Sequence, residues 1–249
     1  MRLLPAPHVF QAGRNSRLNT KCISEVIVQR LAPPKQFPLE SFARVLAFIP
    51  HPDDEAMGCG GLLRRLVDAG REVELVLVSD GSGGPNHPTN LKAERLPEFA
   101  RSLHFLGLDT YDAWLLPDGC LEQESELSER INKRIEDSAP DLIVAPWPGD
   151  LHPDHAAIGH AVDSSSAGRK SSVAWFEIWS PLPASHVLDI TDLMDIKLQA
   201  LKAHETALRF GNYLEAMMGL SAYRGINLPY RGTPNYAEAY LLRGPNHSG

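Results

Sequence analysis

The chain has 249 residues, 43% hydrophobic and 22% charged, with 24 basic against 31 acidic side chains and a formal charge of −7. That length suits one α/β domain with a modest appendage, and a net-negative chain without a basic tract argues against binding nucleic acid or an anionic membrane through bulk charge. Cys22, Cys59 and Cys120 stand far apart with no CxxC pair, which excludes a disulfide framework and a cysteine-rich zinc site and points to a reducing, cytoplasmic setting.

The first 40 residues read as an N-terminal extension. They lack the run of at least ~7 apolar residues of a signal peptide. The patch from Ile23 to Val28 is β-rich and suited to an added edge strand. No later stretch approaches the ~18 apolar residues of a membrane span.

From Arg44 the pattern changes. Residues 45–49 are a short apolar run ending at Pro50, which predicts a buried strand, and 61–70 carry leucines at helical spacing before a glycine stop. A second strand follows at 73–78, then a Gly/Pro/Asn loop at 79–90 and a helix at 91–106 closed by Gly107. The third strand is expected at 111–115, a polar helix at 122–137, the fourth strand at 141–145, and helix from Ala156 onward. Beyond residue 173 the pattern predicts a strand at 173–178, helices at 192–204 and 213–223, and a last strand at 236–242. Alternation of this kind predicts a Rossmann-like α/β fold: a doubly wound, mostly parallel sheet flanked by helices, with additional C-terminal strands and helices. The expected organisation is an extension at 1–40, one domain at 41–243 and a mobile tail at 244–249.

Two segments carry chemistry. The first strand runs into His51-Pro-Asp-Asp-Glu55, one imidazole with three carboxylates; the fourth runs into Asp150-Leu-His152-Pro-Asp-His155. In open α/β sheets ligands bind beyond the C-terminal ends of the strands, where strand order reverses. If these two strands flank that point, their loops converge, and a His/Asp/His set with an open position is the ligand count of a catalytic zinc site. Aspartates after strands also cap helices, and either segment alone carries that reading equally well.

The chain resembles the PIG-L/LmbE-like family of zinc-dependent N-deacetylases. The run from His51 to Gly61 and the run from His152 to His155 match that family's two signatures in type and order; Arg95 to Glu98, Leu116 to Gly119, Lys197 to His204 and Tyr236 to Tyr240 are weaker matches. The resemblance implies zinc held by His51, Asp54 and His155, with Asp53 as the general base toward zinc-bound water. It implies His152, held and kept cationic by Asp154, as the electrophile or acid at the oxyanion, and Arg95 and Asp118 as contacts to sugar hydroxyls. The implied reaction is hydrolysis of an N-acyl, chiefly N-acetyl, amide on an amino sugar or small glycoconjugate, releasing acetate and a free amine. Some relatives carry a tyrosine two residues before the second signature; here Asp150 stands there, leaving the oxyanion to zinc and His152. Glu55 reads as support for the metal loop or a helix cap, His204 as structural or pocket-lining, and Trp114 and Trp147 as pocket-lining or core.

Two rivals remain at this point. A serine-type hydrolase would rest on Ser82 in Asp80-Gly-Ser-Gly-Gly84, which lacks the first glycine of a nucleophile elbow. A non-catalytic sugar-binding module of the same fold would be marked by a lost base, and Asp53 is present. The expected partner is a small N-acetylated sugar, with no nucleic acid and no membrane span, and homo-oligomers stay open.

Overall fold

A computed structural model of the chain describes residues 33–83 and 91–245. The N-terminal β-rich patch therefore lies outside the described residues, as do part of the 79–90 loop and the last four positions.

The central sheet has eight strands: β1 (Lys35–Gln36), β2 (Arg44–Ile49), β3 (Glu72–Ser79), β4 (Asp112–Leu116), β5 (Leu142–Pro146), β6 (Ser172–Phe176), β7 (His186–Asp189) and β8 (Ala237–Arg243). Their order is β1-β7-β8-β6-β5-β2-β3-β4, with β8 antiparallel to both of its neighbours and the remaining pairings parallel. The predicted α/β class, doubly wound sheet and added C-terminal strand are all present.

The apolar run of β2 is continuous because both of its faces are covered. Val45, Ala47 and Ile49 join one core with Leu62, Leu63 and Leu66, Phe99 and Leu103, and Leu201. These come from the helices α2 (Gly60–Asp68), α3 (Lys92–Leu106) and α6 (Met194–Lys202). Leu46 and Phe48 join the opposite core with Ile131, Ile135, Ile158 and Val162, from α4 (Leu127–Ser138) and α5 (Pro153–Ser164). Three further helices are shorter or C-terminal: α1 (Asp54–Gly58), α7 (Glu205–Leu208) and α8 (Tyr213–Gly225). Among the described residues, no helix is long and apolar enough to cross a membrane.

Departures from the predicted elements are local. The helix expected at 122–137 divides into a 3-10 turn, Leu121–Gln123, and α4; the one expected at 192–204 divides likewise into Thr191–Leu193 and α6. The helix expected from Ala156 begins earlier, at Pro153, where proline at the first helical position gives up an N–H that has no partner there. Its Gly159 lies against the 146–148 turn so closely that a Cβ would come within 2.7 Å of Pro148 and 2.8 Å of the Pro146 carbonyl. A side chain at 159 would push α5, and His155 with it, away from β5.

Candidate metal and catalytic site

The chain leaves β2 toward β3 and β4 on one side and β5 toward β6 on the other, while β2 and β5 pair directly. The two chemistry-bearing loops therefore emerge side by side at the C-terminal ends of adjacent strands, the switch point of the sheet.

The turn after β2 sets the geometry. Asp53 has φ 134° and ψ −26°, a left-handed conformation rare for a residue with a Cβ. That twist sends two adjacent carboxylates to different places. Asp54 Oδ2 lies 3.0 Å from His51 Nδ1 and 3.1 Å from His155 Nε2, and the two nitrogens are 3.3 Å apart. Around a tetrahedral cation with bonds of about 2.0–2.1 Å, ligand atoms sit about 3.3–3.4 Å from one another. The triangle is close to the size of one face of such a site, and all three side chains are buried. Wider groups, His51 with His152 and His155 and His51 with Asp118 and Asp154, also gather metal-type donor atoms within 4.8 Å.

Electrostatics agree with a cation here. Burial disfavours charge on His51, yet hydrogen bonds with Asp154 and Asp54, with Asp118 close by, raise its pKa to about 10. Burial likewise opposes ionisation of Asp54, but His155 and His51 hold its carboxyl well below the usual range. A surplus of carboxylate that draws a proton onto imidazole draws a metal ion for the same reason.

His51 Nε2 faces Asp154 Oδ2 at 3.0 Å and Asp118 Oδ1 at 3.3 Å. An N–H donated there leaves the Nδ1 lone pair for the triangle, the carboxylate–histidine arrangement common behind metal ligands. The expected pairing of Asp154 with the ring of His152 is corrected by this contact. Asp154 spends its carboxylate on His51 and on the backbone N–H groups of Gly119 (2.7 Å) and Leu121 (2.9 Å). It meets His152 through its own amide, which donates to His152 Nδ1 at 3.2 Å as the N-cap of α5. Accepting at Nδ1 puts the ring proton on Nε2. Burial, with His51 and His155 beside it, lowers the pKa of His152, so the ring is neutral rather than cationic at neutral pH.

Asp150 is a bracket. Its Oδ1 accepts from the His152 amide at 2.9 Å and its Oδ2 from the Trp179 amide at 3.1 Å, and Oδ1 sits 3.7 Å from His155 Nδ1.

Asp53 lines a cavity of about 330 Å³. Burial raises its pKa to about 6, with the Arg95 cation opposing and the Asp54 charge adding to the rise. Arg95 donates to the Pro52 carbonyl (2.8 Å) and Asp53 Oδ2 (3.1 Å), and its other nitrogen reaches Asp118 Oδ2 at 3.5 Å. Arg95 and Asp118 both line the cavity, and both are engaged with the site itself. Glu98 is buried and accepts from the Thr206 amide (3.0 Å) and hydroxyl (2.9 Å).

The remaining wall is largely apolar, with Met57, Leu91, Trp179, Phe210 and Tyr213 beside Thr206 and Ala207. Trp114 instead packs on Phe48 beneath Arg130, and Trp147 packs against the α4/α5 core. Sequence reasoning missed Trp179, although it lies just past the C-terminal end of β6 and the strand-end rule would have found it. Phe210 and Tyr213, between α7 and the start of α8, gave no comparable signal. Ser82 donates its amide to Asp80 Oδ1, and no histidine among the described residues hydrogen-bonds its hydroxyl.

The chain is similar to several known proteins. The PIG-L family, described as GlcNAc-PI de-N-acetylase, matches residues 46–166. The diacetylchitobiose deacetylase of Thermococcus kodakarensis is 30% identical over 191 residues, covering 68% of this chain and 72% of that protein. The probable N-acetyl-alpha-D-glucosaminyl L-malate deacetylase 2 of Bacillus subtilis is 32% identical over 181 residues, covering 65% of this chain and 82% of that protein. Among solved structures, the N,N'-diacetylchitobiose deacetylase of Pyrococcus horikoshii has a TM-score of 0.70 at 24% identity, covering 94% of this chain and 95% of that one. The 4-carboxy-2-hydroxymuconate hydratase GalB of Pseudomonas putida has a TM-score of 0.66 at 18% identity, covering 83% of this chain and 98% of that one. At these identities the structural likeness establishes the fold.

Proposed function

The chain belongs to the PIG-L family, and from that premise we propose that it is a zinc-dependent amide hydrolase removing an N-acyl group, chiefly acetyl, from an N-acetylglucosamine-type sugar or small glycoconjugate. The observation that carries this reading is the His51–Asp54–His155 triangle opening onto a cavity that also receives Asp53 and His152. Two imidazoles, one carboxylate and an open position form the donor set of catalytic zinc. Zinc bound there supplies acidity to water and polarises the amide oxygen.

The chain's own residues supply the rest. Asp53, ionised and facing the cavity, accepts the proton of the attacking water as general base. His152 lines the cavity, its Nδ1 taken up by the Asp154 amide, and its Nε2–H donates to the oxyanion that develops on the acyl oxygen. The water oxygen joins the carbonyl carbon, the C–N bond breaks as the proton taken from the water passes to the leaving nitrogen, and acetate and a free amine leave. The aromatic wall of Trp179, Phe210 and Tyr213 suits the C–H face of a pyranose ring.

Amine release across a panel of N-acetylated sugars, with zinc added, tests the reading directly. Protein purified without chelator is expected to carry one zinc per chain by elemental analysis. A folded protein without a stoichiometric transition metal overturns the assignment, and activity that survives chelation would favour a serine nucleophile.

A second expectation concerns pH. The general base works ionised, so kcat/KM falls as pH drops through its pKa. Arg95 lowers that pKa, so Arg95→Met moves the acidic limb of the pH–rate profile to higher pH. A limb that stays in place or moves down shows that Arg95 does not govern the base.

A further inference from the structure

Glu55 takes no part in the chemistry above, yet it is fully buried beside it, as are Ser102 and His204. Its Oε1 accepts from the Ser102 hydroxyl at 2.5 Å and pairs with His204 Nε2 at 2.6 Å; its Oε2 accepts from the Asp53 amide at 3.1 Å. The Asp53 amide belongs to the residue with φ 134°. A non-glycine residue in such a conformation is strained and persists only where its surroundings over-determine it.

The two anchors of Glu55 come from distant parts of the chain. Ser102 lies in α3, and His204 is the residue that opens α7, just before the cavity-lining Thr206 and Ala207. Arg95, also from α3, grips the Pro52 carbonyl and the Asp53 carboxylate. The peptide on one side of Asp53 is held through Pro52, its own amide is held through Glu55, and its carboxylate is held by Arg95. Without the Glu55 contact, a turn to an ordinary negative φ would swing the Asp53 carboxylate off its line into the cavity.

We infer that Glu55 is a positioning residue for the general base: anchored by Ser102 and His204, it holds the Asp53 amide in the strained turn that aims the Asp53 carboxylate at the substrate. This rests on the reading of Asp53 as base. His204 is thereby given a specific task, and Glu55 acts on the reaction through Asp53 rather than through the metal ligands.

Glu55→Met removes the acceptor while keeping length. Its kcat is expected to fall about tenfold or more, since misplacement of a catalytic group by ~1 Å can cost about 10²-fold. KM should stay within about twofold and zinc content should stay at one per chain. Glu55→Gln can still offer its carbonyl oxygen to the Asp53 amide with its nitrogen toward Ser102 and His204, and should recover most of the lost kcat. The deciding measurement is the cycle with Asp53→Asn. If Glu55 acts through the base, Glu55→Met lowers kcat no further in an Asp53→Asn background, whereas a general structural loss would multiply with it. Should Glu55→Met fail to fold, Ser102→Ala, which deletes one anchor, takes its place: a smaller kcat loss that disappears in the Asp53→Asn background is expected. Wild-type kcat in Glu55→Met, or losses that multiply across the cycle, overturns the inference. Near-normal kcat in Asp53→Asn alone overturns the assignment of the base itself.

Discussion

Asp53→Asn is expected to keep its zinc and lose turnover by ~10²-fold or more, the usual contribution of a general base, while Asp54→Asn loses metal affinity first. The two residues are adjacent, isosteric substitutions at each are equally conservative, and only their surroundings predict different outcomes. Asp54 Oδ2 is one corner of a triangle with two imidazole nitrogens, and an amide there replaces a full negative charge with a neutral oxygen or an N–H facing other donors. Asp53 meets Arg95 and the cavity, and the nearest metal-type triangle does not include it. Zinc titration of both variants, alongside kcat, separates the roles. An empty site in Asp53→Asn with a full one in Asp54→Asn would reverse the assignment. Asparagine also tolerates positive φ better than most residues, so the strained turn survives the substitution and the kinetic loss reports the carboxylate.

The parts of this site that were legible in the sequence are those where one short segment dictates both element and chemistry. A buried apolar strand followed at once by His51 to Glu55, and another followed by His152 to His155, place side chains at strand ends whatever the rest of the chain does. The doubly wound order then brings the two strands together. Partners that depend on long-range geometry were not legible. Nothing within the chain's local pattern says that Asp154, two residues from His152, turns instead to His51, or that Glu55 meets Ser102 and His204. The short strand β7 escaped for a related reason: only Val187 and Leu188 in it are buried, too few to make a period. The helix α1 lies inside a motif rich in acids and glycines, which hides any helical spacing.

The fold alone would not have chosen the reaction. A hydratase shares it nearly as closely as the deacetylase from Pyrococcus horikoshii does, with TM-scores of 0.66 and 0.70. The choice rests on side chains at the switch point: a donor triangle sized for one small cation, a carboxylate beside it with an elevated pKa, and the His152 imidazole lining the same cavity. Function on a widely used fold is decided by such a site.

His152 carries the last of these parts. Asp150, two residues before His152, is committed to the His152 and Trp179 amides and offers no donor to an acyl oxygen. On the proposed mechanism the protein's own donor to the oxyanion is the His152 Nε2–H, from a neutral ring. His152→Ala is expected to lower kcat by about 10²–10³-fold with little change in KM, because an oxyanion contact is made mainly in the transition state. Zinc content should remain at one per chain. The variant also loses the cap that accepts the Asp154 amide, so a stability loss of about 0.5–2 kcal/mol accompanies it. His152→Asn separates the two effects: asparagine is a good N-cap, so it restores stability without restoring an N–H at the reach of Nε2, and kcat should stay low. Recovery of kcat together with stability would make His152 a cap and no more, and loss of zinc in either variant would make it a ligand.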